Sequence, residues 1–155
     1  MSDRLCIESD QKDQTRISET DILSCCTSCG DGCDGGEEDQ AFAHWVSHGY
    51  STGGVYGNTD YCKPYPFLPC AHHVKVPGMK SCGGDEYSTP KCEAKCSNES
   101  YGTDYRNDIH KGTEYNTFHN AKDIAEEISR HGPVVTGFTV YEDFMTYKSG
   151  KKNLK

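Results

Sequence analysis

The stretch that decides the fold is Cys25-Cys-Thr-Ser-Cys-Gly-Asp-Gly-Cys-Asp-Gly-Gly36. It places four of the ten cysteines close together and ends in a glycine pair. A second group of cysteines runs from Cys62 to Cys96 and encloses the pair His72-His73. Cysteines clustered in this way are typical of secreted frameworks held by disulfides. The pattern therefore predicts a cross-linked scaffold onto which a functional loop is fastened.

The composition leaves this scaffold with a thin hydrophobic core. Hydrophobic residues make up 34% of the 155 residues and the mean hydropathy is -0.80, so cross-links or further segments must supply part of the stability. The formal net charge of -8 and the pI near 5.3 argue against nucleic acid or an anionic membrane as a partner, because both attract basic surfaces. No apolar run is long enough for a transmembrane helix, so no membrane span is predicted.

The first residues, Met-Ser-Asp-Arg-Leu-Cys, do not contain the apolar core of a signal peptide. Chains rich in disulfides are nevertheless usually exported. We therefore interpret Met1 as an internal methionine of a longer precursor, or as the start of a truncated gene model.

Two short helices are predicted on either side of the glycine pair. The first begins at Ser18-Glu-Thr-Asp21, which resembles a capping box with Asp in place of Glu or Gln, and runs into Cys25. The second lies between Asp39 and His48 and ends at Gly49. Its apolar residues fall on one helical stripe. They are Ala41, Phe42, Trp45 and Val46.

The remainder of the chain divides at about residue 118. Residues 50–118 are rich in Gly, Pro, Tyr and Cys and are too long for an ordinary loop, so they are predicted to be a cross-linked functional segment. A third helix begins at Asn120 and ends at Gly132, residues 134–140 are a strand candidate, and the tail 151–155 is expected to fray. The residues of the third helix predicted to point inward are Ile124, Ala125 and Ile128.

The glycine pair Gly35-Gly36 is the first candidate binding element. Because glycine has no Cβ, another backbone can approach closely, and in a cleft an extended peptide could pair with it as a strand does. The alternative interpretation is a plain turn that leads into the following helix.

His72-His73, beside Cys70, is the second candidate. Two adjacent histidines on a disulfide-pinned loop could donate hydrogen bonds to a carboxylate and would become charged below about pH 6.5. They could instead bind zinc together with cysteine, or simply be exposed loop residues.

Two shorter patterns have simpler interpretations. Cys26-x-x-Cys29 could be a redox pair, but no strand precedes it and other cysteines surround it, which favours a structural clip. Asn98-Glu-Ser100 is a glycosylation sequon and predicts a glycan at Asn98 only if the chain is exported.

Together these motifs resemble the papain family of cysteine peptidases, specifically its cathepsin B branch, over about residues 2–150. The histidine pair is specific to that branch, and Cys82-Gly-Gly-Asp-Glu-Tyr87 is similar to cathepsin B-like enzymes of parasitic worms. The matching stretches are Asp3–Cys6, Leu23–Cys26, Cys29–Gly36, Lys63–Tyr65, Pro69–His73, Thr89–Cys92, Gly132–Val134, Val140–Phe144 and Tyr147–Gly150.

The resemblance implies an α+β, papain-like two-lobe cysteine peptidase fold that is disulfide-rich and incomplete at both ends. Residues 1–61 would be the remainder of the helical lobe, 62–96 the occluding-loop region, and 97–155 the start of the β-rich lobe, all within one partial domain. The family's nucleophilic cysteine, catalytic histidine and orienting asparagine would lie outside these ranges. Without a thiolate–imidazolium pair the mechanism has no weaker form, so the chain alone is expected to be inactive.

The resemblance also assigns the binding residues. Gly35 and Gly36 match the glycines that hold the substrate backbone, and Gly137 matches a small residue of the main specificity pocket. His72 and His73 match the occluding-loop histidines that grip a substrate's C-terminal carboxylate and turn an endopeptidase into a dipeptidyl carboxypeptidase. The chain departs from the family after the glycine pair, where Glu37 and Glu38 replace an aromatic residue and a proline. An acidic wall could favour basic side chains or could mark a decayed pocket.

By the same resemblance the disulfides are Cys25–Cys92, Cys26–Cys29, Cys62–Cys96 and Cys70–Cys82. Cys6 and Cys33 remain, and their family partners would lie in a preceding stretch. The implied partners are peptide or protein substrates, a propeptide and inhibitors such as cystatins, with no cofactor and no metal, in a lysosomal or extracellular location. The alternatives are a non-catalytic secreted peptide-binding module and a zinc-binding module.

Overall fold

The computed structural model describes residues 1–71, 74–83, 87–142 and 144. Four helices and two short 3-10 turns are present in these ranges, and none of the helices described there is long and apolar enough to cross a membrane. The helices are α1 (Ser2–Glu8), α2 (Glu19–Cys25), α3 (Glu38–Ser47) and α4 (Ala121–His131), and the 3-10 turns are Gly32–Asp34 and Tyr105–Asn107. In the described ranges β-structure is limited to isolated bridges. They join Ile17 to Thr52, Gly30 to Gly36, Tyr50 to His110 and Ala71 to Ser81.

The predicted helix starts are confirmed by their caps. The Ser18 hydroxyl accepts a hydrogen bond from the Asp21 amide at 3.1 Å, and the Asn120 side chain accepts one from the Asp123 amide at 2.9 Å. These bonds satisfy amide groups that the first helical turn leaves without partners. The end of α3 is also as predicted, because Gly49 follows it with a φ of 83° that disfavours any residue with a Cβ.

The core is small and lies between α2, α3 and the segment that follows α3. Its buried residues are Ile17, Cys26, Trp45 and Tyr50. Phe42 packs against this cluster from α3, and its ring meets that of Trp45 edge-to-face at 6.3 Å. Four buried residues give little hydrophobic stabilisation for a chain of this length, in agreement with the composition.

The predicted inward face of α4 is wrong. Ile124 is half-buried, but Ala125 is exposed and the Ile128 side chain is 47% exposed. The helix is held to α1 chiefly by polar contacts, because the Arg4 guanidinium pairs with Glu127 at 2.6 Å and donates to the Pro133 carbonyl at 3.0 Å. The amphipathic pattern indicated a helix, but periodicity alone does not show what an apolar stripe packs against.

The predicted strand at 134–140 is also wrong, because this described segment forms no strand. Phe138 is 64% exposed and Val140 is 56% exposed. A strand needs backbone partners on a neighbour, and no bridge among the described residues involves this segment. The tail 151–155 lies outside the described residues.

Candidate functional site

A tight antiparallel turn carries the glycine pair. The Asp31 amide donates to the Gly35 carbonyl at 2.9 Å, and the Glu37 amide donates to the Cys29 carbonyl at 2.7 Å. These two bonds lie on either side of the bridged pair Gly30 and Gly36. Gly30 and Gly36 are therefore a non-hydrogen-bonded pair of an antiparallel ladder. In such a pair the N–H and C=O groups of each residue point away from the opposite strand. The backbone of Gly36 consequently faces outward from the turn.

Steric crowding explains why Gly36 has no side chain. A Cβ there would collide with the Cys29 carbonyl oxygen, and a Cβ on Gly30 would lie 2.5 Å from the Gly36 Cα. Gly35 has open space around it, and its φ of 120° is what favours glycine. Both members of the pair are exposed. They present bare backbone to solvent, which is what pairing with another extended chain requires.

A cavity of about 270 Å³ lies beside this turn. Its lining combines bare backbone, a few apolar side chains of α2 and α3, and two carboxylates. The lining residues are Ile22, Leu23, Cys26, Cys29, Gly30, Gly32, Gly35, Gly36, Glu37, Glu38 and Ala41. The sequence-predicted glycine pair and the acidic residues that follow it are therefore brought together at one cavity. Gly137 is not in that lining; it is exposed, with open space around its Cα.

The cavity wall is fastened by cross-links. Cys26–Cys29 lies within the wall, and Cys25–Cys92 joins the end of α2 to the distant segment around residue 92. Cys62–Cys96 and Cys70–Cys82 complete the set. These are the four pairs that the family resemblance implies. Cys6, half-buried, and Cys33, exposed, carry no disulfide.

His72 and His73 lie outside the described residues, but the base of their loop is described. Ala71, which precedes them, is buried, and its amide donates to the Lys80 carbonyl at 2.7 Å. The Cys82 amide donates back to the Ala71 carbonyl at 3.0 Å, next to the Cys70–Cys82 disulfide. The loop that contains the histidines is therefore closed at its base by a cross-link and by backbone pairing.

Sequence reasoning missed a buried ion pair behind the cavity wall. The Lys63 ammonium donates to the Asp21 carboxylate at 2.7 Å and to the Glu93 carbonyl at 2.6 Å. The second Asp21 oxygen accepts from the Ser51 amide at 2.8 Å, and the Tyr105 hydroxyl lies 3.3 Å from both carboxylate oxygens. Burial and the neighbouring Asp21 charge raise the pKa of Tyr105 to about 12. The only sequence signal was Lys63-Pro-Tyr65, which carried no chemistry by itself.

This network connects the cavity wall to the disulfide-rich segment. Asp21 lies on α2, which supplies part of the cavity lining, whereas Glu93 follows Cys92, the partner of Cys25. The Lys63 ammonium also lies 4.3 Å from the Tyr105 ring centroid. The ion pair and the disulfide therefore join the same two parts of the molecule.

Two further interpretations of the sequence concern the sequon at Asn98 and metal binding. Asn98 is half-buried and is hydrogen-bonded through its side-chain amide. Within the described ranges no group of three or more His, Cys, Asp or Glu side chains is placed to hold a metal ion.

The turn, the cross-links and the cavity agree with a known family of proteases. The family model for papain family cysteine proteases matches residues 1–154, and the chain belongs to this family. The fold is accordingly papain-like, α+β in class, and rich in disulfides.

Curated relatives place the chain near cathepsin B-like enzymes. It is 45% identical over 151 residues to a cathepsin B-like cysteine proteinase of Schistosoma japonicum, a match that covers 97% of this chain and 44% of the relative. It is 44% identical to cathepsin B-like cysteine proteinase 6 of Caenorhabditis elegans, with 97% of this chain and 40% of the relative covered. The chain thus spans less than half the length of these relatives.

A solved structure of a procathepsin B has a similar backbone fold. Procathepsin B S9 from Trypanosoma congolense superimposes with a TM-score of 0.59 and is 30% identical. The match covers 84% of this chain and 36% of that chain.

Proposed function

We propose that these 155 residues form the peptide-binding part of a cathepsin B-like cysteine peptidase, in which Gly35 and Gly36 hold the backbone of an extended substrate. The observation that carries the proposal is the orientation of Gly36. Its N–H and C=O face away from the Gly30 side of the turn, and no hydrogen bond within the described ranges uses them. An extended peptide at the cavity lip would supply one acceptor and one donor, as a neighbouring strand does.

The chemistry of the family requires three groups that these residues do not supply. A thiolate attacks the scissile carbonyl, an imidazolium holds the thiolate and protonates the leaving amine, and a third side chain orients the ring. The sequence contains none of the three motifs that carry these groups, which are Gln-Gly-x-Cys-Gly-Ser-Cys-Trp, Gly-Gly-His-Ala and Asn-Ser-Trp. The 155-residue chain alone is therefore proposed to bind peptides without cleaving them. Cleavage as an endopeptidase or a dipeptidyl carboxypeptidase is proposed for the complete enzyme only.

Further roles follow from the same proposal. His72 and His73 would grip the C-terminal carboxylate of a substrate, and the closed base of their loop supports this role because it fixes where the loop leaves the fold. Gly137 would line the specificity pocket of the peptidase. The partners would be protein substrates, a propeptide and cystatin-type inhibitors, in a lysosomal or extracellular location that suits four disulfides.

Two assays test the proposal on the oxidised chain. The first measures thiol-dependent release of a fluorophore from a dibasic dipeptide, and we expect none. Turnover that an epoxide inhibitor blocks would refute the proposed inactivity. The second measures binding of a fluorescent extended peptide by anisotropy, and binding without turnover is the expected result.

A chemical change in the peptide isolates the role of the Gly36 backbone. A series of peptides is used, each with an N-methyl group at a different single position. Each peptide lacks one backbone donor, and the protein is unchanged. Loss of a single buried hydrogen bond corresponds to roughly a tenfold weaker affinity at one internal position. A terminal N-methyl group serves as the control. Equal affinity at every position would contradict backbone pairing at Gly36.

A further inference from the structure

Asn98 makes six hydrogen bonds, and its side-chain amide uses both of its donors and both of its acceptor positions. Its two Nδ2 hydrogens are donated to the Thr59 carbonyl at 2.8 Å and to the Tyr61 carbonyl at 2.9 Å. Its Oδ1 accepts from the Ser100 amide at 3.1 Å and from the Ser100 hydroxyl at 2.7 Å. Its backbone amide donates to the Cys62 carbonyl at 3.1 Å, and its carbonyl accepts from the Tyr101 amide.

The orientation of the amide is fixed by its neighbours. The Ser100 N–H is a donor and must face Oδ1, whereas the Thr59 and Tyr61 carbonyls are acceptors and must face Nδ2. Neither of these two carbonyls accepts another hydrogen bond from the described residues. Asn98 is therefore the group that satisfies both carbonyls within the fold.

These bonds close one corner of the cross-linked segment. Three acceptors for Asn98 lie in residues 59–62, and Cys62 is fully buried and bonded to Cys96, two residues before Asn98. The Cys62 amide donates in turn to the Thr52 hydroxyl at 3.1 Å, and that hydroxyl donates to the buried Asp108 carboxylate at 2.8 Å. The backbone amide of Asn98 thus bonds to Cys62, which links the disulfide to the polar network around Asp108, and the Asn98 side chain holds the residues just before Cys62.

We propose that Asn98 is a structural amide that fastens residues 59–62 to the Cys62–Cys96 disulfide, and that its sequon remains unglycosylated in the folded protein. A glycan on Nδ2 would replace one of the two amide hydrogens, so that either the Thr59 or the Tyr61 carbonyl would lose its donor. The sugar would also have to occupy the space that one of these carbonyls fills at 2.8–2.9 Å. Asn98 therefore cannot carry a glycan while both of its Nδ2 hydrogen bonds are in place.

Two substitutions separate the sequon from the amide. Ser100→Ala destroys the sequon but leaves both Nδ2 donors in place. Asn98→Asp destroys the sequon as well, and it places a carboxylate oxygen against two carbonyl acceptors. The 155-residue chain and both variants are secreted from insect cells behind a cleavable signal. Intact mass is measured before and after peptide N-glycosidase treatment, and the melting temperature is measured on the four-disulfide product.

The expected result is a wild-type mass without glycan and a Ser100→Ala variant that melts only slightly lower, because it loses the one hydrogen bond from the Ser100 hydroxyl and keeps both Nδ2 donors. The Asn98→Asp variant is expected to melt roughly 4–8 °C lower, because two hydrogen bonds are lost in a chain of this size. A glycosidase-sensitive mass on the folded wild-type protein would overturn the proposal. So would an Asn98→Asp variant that melts together with Ser100→Ala.

Discussion

The Asp21 carboxylate lies 2.7 Å from the Lys63 ammonium, and the two side chains are only 1% and 5% exposed. Charges so far from water are costly unless every polar atom has a partner. Here the carboxylate also accepts from the Ser51 amide and lies within reach of the Tyr105 hydroxyl, and the ammonium also donates to the Glu93 carbonyl. The pair is thus a connected network that fixes how α2 meets the cross-linked segment.

Removing the charge of Lys63 while Asp21 remains is predicted to be severely destabilising. Lys63→Met leaves the Asp21 carboxylate buried without its cation, and the free energy of unfolding should fall by about 3–5 kcal/mol. Lys95→Met is the matched control, because Lys95 pairs with Glu93 at the surface and such pairs contribute about 0–1 kcal/mol. Denaturant unfolding measures both variants. Equal losses for the two variants would show that the buried pair has no special role.

The glycine turn gives a second prediction. In Gly36→Ala the new methyl group must displace the Cys29 carbonyl, and we expect a loss of about 1–3 kcal/mol in the free energy of unfolding together with weaker peptide binding. Gly102→Ala is the control, because its surroundings are open and its φ is not in the left-handed region. That substitution should be neutral or slightly stabilising. If Gly36→Ala changes neither the free energy of unfolding nor peptide binding, the turn adjusts to the methyl group and crowding does not select glycine at this position.

The sequence predicted the parts of this fold that depend on neighbouring residues. The caps at Ser18 and Asn120 depend on an amide only three positions away, and the Trp45 stripe depends on helical periodicity. Helix α1 was missed because its cap residue, Met1, makes no side-chain hydrogen bond and gives no signal. Local structure was therefore predictable where a polar cap or an apolar stripe marked it.

Contacts between distant residues were not predictable in the same way. Asp21 and Lys63 are 42 positions apart, and neither lies in a pattern that selects the other. Residues 134–140 have the composition of a strand, yet strand formation depends on a partner that composition does not specify. On its spacing alone the glycine pair suited a plain turn better than a binding element. The outward direction of the Gly36 backbone became apparent only from the two hydrogen bonds on either side of it.

His44 is predicted to make the fold sensitive to acid. Its Nδ1 is buried and has no hydrogen-bond partner among the residues that the structure describes, and its ring stacks on those of Tyr50 at 5.0 Å and His48 at 4.5 Å. Burial lowers the pKa of His44 below its ordinary value of 6.5, and the neighbouring His48 charge lowers it further, whereas Asp21 opposes the shift. The unfolded chain therefore binds this proton more readily, and the stability associated with neutral His44 is present above pH 6.5 and is lost as the pH falls through the lowered pKa.

The test compares unfolding at pH 7.5 and pH 5. His44→Gln cannot be protonated, so its stability should fall less between these pH values than that of the wild-type chain. His119→Gln, at an exposed position, is the control and should follow the wild-type chain. If His44→Gln loses as much stability in acid as the wild-type chain does, the acid sensitivity arises elsewhere.

Cross-links of different span are predicted to contribute unequally. Cys25–Cys92 closes a separation of 67 residues, whereas Cys70–Cys82 closes 12. In the chain-entropy account these spans correspond to roughly 4 and 3 kcal/mol, because the longer loop restricts the unfolded chain more. Replacing both cysteines of a pair by serine removes one cross-link at a time, and denaturant unfolding should show the larger loss for Cys25→Ser/Cys92→Ser.

The structure adds a local reason for the same order. The Cys25 sulfur lies 3.8 Å from the Lys63 ammonium, so removing the Cys25–Cys92 bond also loosens the segment that holds Glu93 against that lysine. The double variant should therefore weaken the buried ion pair, and Lys63→Met should cost less in that background than in the wild-type chain. Additive losses would show that the disulfide and the ion pair act independently. A larger loss from the Cys70–Cys82 variant would contradict the chain-entropy account for this fold.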